Sequence, residues 1–182
     1  GNLNGSFANS GTGNPNTAVD WEISVRNTGT IAVDNLVAID RIPAIGNLTI
    51  LGSPLSAPVS NQFNMQMLTV PTNINYTAQY TSTQNICTTW PATGTPCNTG
   101  SWSGSVLNGG VKFAFNPTYT LAPGASYTYT FQSRIPPGTA NGLVDCNTVG
   151  FIAKSKTGGY NINPVESSPV CIEVVVPEVP PG

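Results

Sequence analysis

The feature that most constrains this chain is a period of two. Val19, Trp21, Ile23 and Val25 alternate with Asp20, Glu22, Ser24 and Arg26. In an extended backbone that spacing places apolar and polar side chains on opposite faces, the pattern of a half-buried strand. Asn27-Thr28-Gly29-Thr30 then breaks the run as a turn. A second extended run covers Ile31 to Asp40, with a bulge expected at Asp34-Asn35, and Arg41-Ile42-Pro43 stops it. The period returns in Ile74, Tyr76, Ala78 and Tyr80, in Val111, Phe113 and Phe115, and in Tyr127, Tyr129 and Phe131 after the turn Ala122-Pro123-Gly124. Cys146 to Ala153 and Val170 to Val176 supply the last strands. No window carries a helical period with a cap, and 19 glycines and 16 prolines punctuate the chain. An all-β antiparallel sandwich with long loops follows.

The 182 residues suit one such domain. Residues 1–15, rich in Gly, Asn and Ser, read as an arm or linker. Residues 16–176 form the sandwich domain, and 177–182 is a Pro-rich extended linker. Beginning at Gly1 with no signal peptide, the chain is expected to be a processed or excised piece.

Composition narrows the function. Only 8% of residues are charged and the net charge is −2, so Asn, Thr, Ser and Gln must build the surface. Six dispersed cations, Arg26, Arg41, Lys112, Arg134, Lys154 and Lys156, cannot make a phosphate-binding face, which argues against nucleic acid. No apolar stretch is long enough for a membrane-spanning helix. The four cysteines lack zinc spacing, and no histidine is present to complete such a site. They are expected as disulfides, which places the protein in an oxidising, extracellular or cell-surface setting. Of three possible pairings we expect Cys87–Cys97, closing a short Pro/Gly-rich hairpin, and Cys146–Cys171, tying two C-terminal strands.

Several motifs resemble those of a known family. Trp21 to Pro43 reads WEISVRNTGTIAVDNLVAIDRIP, which is similar to the conserved repeat domain of bacterial and archaeal cell-surface proteins. Asn27, Thr28, Gly29 and Thr30 fit its "N-T-G-T" turn, and Asp40, Ile42 and Pro43 fit its "h-x-D-x-h-P" corner, with h apolar. LAPGASYTYTF resembles another strand of the family, Asn147-Thr148-Val149 its closing strand, and YTSTQNICTTW an insert of a longer variant. The resemblance implies an immunoglobulin-like sandwich serving as a repeating stalk or surface module. The segment from Leu51 to Val70 matches nothing in the pattern.

The residue inventory argues against an enzyme. Without histidine there is no Ser-His or Cys-His nucleophile pair, and the eight acids are scattered, with no paired carboxylates to form a glycosidase cleft. No cofactor is implied. Asp40, with Asp34 or Asp145 as helpers, lacks a calcium loop and is read as a carboxylate closing the strand corner by accepting backbone N–H bonds. Lys112 lies opposite the aromatic face of its strand and should point to solvent rather than form an isopeptide bond. Trp21 is read as core. Tyr80, Trp90 and Trp102, around the Cys87–Cys97 loop, are the candidate ligand-binding aromatics, able to stack on a carbohydrate or protein. Asn4, Asn47 and Asn75 begin glycosylation sequons, a weak signal in so Asn/Thr-rich a chain.

Two functions compete: a structural stalk, surface-layer or fibre module, and an adhesin recognising its ligand through the Cys87–Cys97 loop. Neighbouring domains or identical copies are the expected partners. Self-association is expected because Cys171 to Val176 reads as a poorly charged edge strand, and the N-terminal arm could add a strand to a neighbour.

Overall fold

The computed structural model describes residues 7–47, 60–86 and 101–179. Among these the fold is all-β, with no helix. The strands in chain order are β1 (Ser10–Gly13), β2 (Ala18–Arg26), β3 (Val33–Arg41), β4 (Gln66–Met67), β5 (Tyr76–Thr81), β6 (Gly110–Phe115), β7 (Ser126–Arg134), β8 (Val144–Asn147), β9 (Val149–Ser155), β10 (Val165–Glu166) and β11 (Val170–Val174). One sheet has the order β10-β9-β3-β6-β5. Two three-stranded sheets, β2-β7-β4 and β1-β11-β8, share a core with it.

The alternation seen in the sequence is the alternation of burial. Val19, Trp21 and Ile23 of β2 face inward, as do Val111, Phe113 and Phe115 of β6 and Tyr129 and Phe131 of β7. Trp21 is core as expected, its Nε1–H donating to Ser133 Oγ at 2.8 Å. Tyr76, Phe113 and Tyr129 pack ring to ring, with centroids 4.8–5.4 Å apart. Offset and edge contacts of this kind add to the apolar area already buried. The expected bulge is present: the register of β3 with β9 shifts between Asp34 and Val37, and Asn35 adopts a φ of 49°. In the Ala122-Pro123-Gly124 turn, Ala125 N–H donates to Ala122 O and Gly124 takes a φ of 78°, as a type II turn requires.

Four readings change. The presumed N-terminal arm contains β1, which pairs in parallel with β11 from Ser10 opposite Cys171 to Gly13 opposite Val174. Consequently β11, read as an exposed edge, is the central strand of its sheet. A small-residue segment can hold this position because a Cβ on Gly13 would lie 2.7 Å from Ile135 Cδ1. Cys146 to Ala153 is two strands: β8 belongs with β11, and after Thr148 the chain crosses to pair with β3 as β9. Ile74 lies outside β5 and is exposed.

The unmatched segment also enters the core. Phe63, Met65, Met67 and Val70 are all buried. Among its described residues only Gln66 and Met67 join a ladder; side chains and isolated main-chain carbonyls meet other amides. Cys146 N–H donates to Asn61 Oδ1, Val144 N–H to Gln62 Oε1, Met67 N–H to Asn108 Oδ1 and Val70 N–H to the Tyr80 hydroxyl. Asn47, at the head of a sequon, is buried and accepts from Ala44 N–H and Asn61 Nδ2.

Candidate functional site

The Cys146–Cys171 disulfide forms as expected, between residues directly opposite in the β8·β11 pair. Cys87, Cys97 and Trp90 lie outside the described residues. The two remaining candidate aromatics do not form an open stacking surface. Tyr80 is 3% exposed, its hydroxyl accepting from Val70 N–H at 2.8 Å, because β5 alternation points it into the sandwich. Trp102 lies on the outer side of the five-stranded sheet with Val37, Ile39 and Ile86. Lys112 Nζ sits 4.7 Å from its ring centroid. Lys112 therefore faces outward from the core but rests on the indole rather than in solvent, and burial lowers its pKa. This small outer cluster explains why Ile39 is buried although its neighbours Ala38 and Asp40 face the other way.

The carboxylates flagged by the sequence are separate and structural. Asp40 is fully buried, its Oδ2 accepting from Asn147 Nδ2 at 3.0 Å. It thus joins β3 to the end of β8 through a side-chain amide, not through backbone N–H groups. Burial raises its pKa well above the ordinary range, against the hydrogen bond from Asn147 and the charge of Arg41. Arg41 is itself buried, donates to Asn85 Oδ1 at 3.1 Å, and has its pKa pulled down to about 10 by that burial, opposed by Glu166 and Asp40. The carboxylate that does accept backbone N–H groups is Asp145, from Gln62 at 2.9 Å and Phe63 at 3.1 Å. Burial pushes it up to about 7, opposed by those two bonds. Asp34 lies six residues before Asp40 on β3, roughly 20 Å away at strand rise, and accepts from Asn35 instead. Among the described residues no three acidic or cysteine side chains gather where a metal could bind.

The concave feature best suited to binding lies where β2 and β3 meet, at the end of the sandwich carrying Arg26 and Val33. There an apolar groove of about 410 Å³ opens between the sheets, floored by Leu36, Leu121 and Phe151 and flanked by Val25, Ala153 and Val165. Its size is that of pockets that hold small ligands or short peptide segments. The N-T-G-T turn builds its rim. Asn27 Nδ2 donates to Ile31 O at 2.8 Å and Leu121 O at 3.0 Å, while its Oδ1 accepts from Gly29 N–H at 3.0 Å. Its backbone is bonded on both sides, to Ala125 O and Gly124 N–H. One side chain therefore clamps the turn to the 121–125 loop and holds the groove open. Ile31 and Val165 stand on the rim, 51% and 55% exposed, and Arg26 is the one charged residue among those described that line it. The turn was legible in the sequence, but the groove was not, since it needs strands far apart in the chain.

Searches of family models, curated proteins and solved structures found no match for this chain.

Proposed function

We infer that this protein is a non-catalytic, immunoglobulin-like structural module of an extracellular surface, stalk or fibre protein. The observation that carries this reading is the parallel pairing of the first described strand with the last, β1 with β11. A chain whose terminal strands run in the same direction enters at one end of the sandwich and leaves from the other. Such a domain can be strung in series, and tension between its ends shears the four β1·β11 residue pairs together instead of peeling them one at a time. The disulfide between β8 and β11 supports an oxidising location and anchors the last strand under that load. The fate of the flagged acids agrees with it: Asp40 and Asp145 are sealed in the core as clamps. The recognition reading is weaker, because Tyr80 is internal and Lys112 occupies a face of Trp102.

Single-molecule pulling through the two termini tests this function. A discrete unfolding peak, lowered when β1 is deleted, is the expected result. Extension without a resolvable peak would remove the tension-carrying role.

A further inference from the structure

We propose that the groove at the Arg26 end of the sandwich is the receptor for the C-terminal tail, Val175–Val179, of a second copy of this chain, so that copies join head to tail. The proposal rests on the end-to-end structural reading above and specifies its joint. The tail and the groove lie at opposite ends of the molecule. Val175 N–H donates to Gly13 O, and Gly13 packs beside Val19 at the start of β2, whereas the groove begins at Val25 near its finish. Six residues of strand separate the two, about 20 Å. From Val175 the four steps to Val179 span at most about 14 Å, so the described tail cannot reach its own groove.

The chemistry of tail and groove is complementary. Val175, Val176 and Val179 are exposed, the last at 89%. Pro177 prevents the tail from continuing as a ladder strand and favours an extended polyproline form, which loses little entropy on docking. That form presents valine side chains without needing partners for a full row of amides, which suits a groove floored by Leu36, Leu121 and Phe151. Glu178 is the tail's only charge and Arg26 the only described charge lining the groove. A contact between opposite ends of identical molecules is heterologous and does not close on itself, so it extends as a chain.

The test combines sedimentation of the purified chain with NMR titration. The full chain is expected to associate with rising concentration. Deleting residues 177–182, or making V179D, I31D or V165D, should weaken association at least tenfold, and all three substituted side chains are exposed, so folding is retained. Glu178→Arg alone should weaken it, and adding a copy carrying Arg26→Glu should restore it. A synthetic peptide of residues 174–182 should shift the amide signals of Ile31 and Val165 in the tail-deleted chain, leaving Trp102 unmoved. If tail-deleted copies associate as strongly as the full chain, the joint is overturned while assembly through another surface stands. If the full chain stays monomeric and the peptide at millimolar concentration shifts nothing at the groove, joint and self-assembly fall together, and a stalk of covalently linked domains remains.

Discussion

At the scale of the residue, buried polar side chains act as clamps, and their removal is costly because it strands a partner. Asn27→Ala deletes two donors and one acceptor and leaves Ile31 O and Leu121 O without the amide that meets them. A loss of about 2–4 kcal/mol is expected in urea unfolding. Gly109 is fixed by close approach: a Cβ there would lie 2.6 Å from backbone atoms of Thr81, Ser82 and Thr83. Backbone cannot swing aside, so Gly109→Ala should cost about 2–3 kcal/mol. Asp145 sets a pH dependence. Its folded pKa, about 7, lies above its ordinary value of 3.8. Between those two values the folded chain retains a proton that the unfolded chain has released, so this group's contribution falls as pH rises through that window. The full span is on the order of 4 kcal/mol. Thermal melts should show a lower Tm at pH 8 than at pH 5. Asp145→Asn, which keeps an oxygen for the Gln62 and Phe63 amides, should flatten the difference. Asp40 is shifted in the same direction, so some slope should survive.

At the scale of the element, the β1·β11·β8 sheet brings together segments at both ends of the chain. Its β8·β11 pair is held by ladder bonds and by the Cys146–Cys171 disulfide, which closes a sequence separation of 25 residues. Chain entropy assigns that cross-link about 3.5 kcal/mol, so the Cys146→Ala/Cys171→Ala variant should lose about that much stability in denaturant titration. The pairing was readable from cysteine spacing and strand order. The parallel partner β1 was not, because Ser-Gly-Thr-Gly has no apolar period; it is held by main-chain bonds and by the room its glycines leave. The segment from Asn61 to Val70 did carry a signal in the alternation of Phe63, Met65 and Met67. It was obscured because its amides are divided between side-chain acceptors and carbonyls of scattered partners, leaving a ladder of two residues.

At the scale of the whole molecule, parallel terminal strands and oppositely placed tail and groove make the sandwich directional. The disulfide gives that direction a mechanical signature. Pulled from its ends, the oxidised protein cannot extend the loop between Cys146 and Cys171. Its released contour length should be shorter than that of the Cys146→Ala/Cys171→Ala variant by about 85 Å, from the 25-residue separation. Equal lengths in the two proteins would show that this disulfide does not carry the load. Scarce charge fits the same picture, since a net charge of −2 offers little repulsion between copies brought end to end.

What the sequence determined by itself is local and periodic. A period of two set the strands, Pro-Gly and Asn-Thr-Gly set the turns, Asn35 marked the bulge, and the cysteines implied their C-terminal pair. Each follows from backbone sterics and from which face of a strand meets water. The tertiary structure alone decided what depends on residues distant in the chain: that β1 lies on β11 and that Thr148 carries the chain between sheets. It also decided that Asp145, rather than Asp40, receives backbone amides, and that Asn27 holds open an apolar groove. These outcomes turn on how two faces pack and which buried polar atoms find partners, and no window of neighbouring residues contains that information.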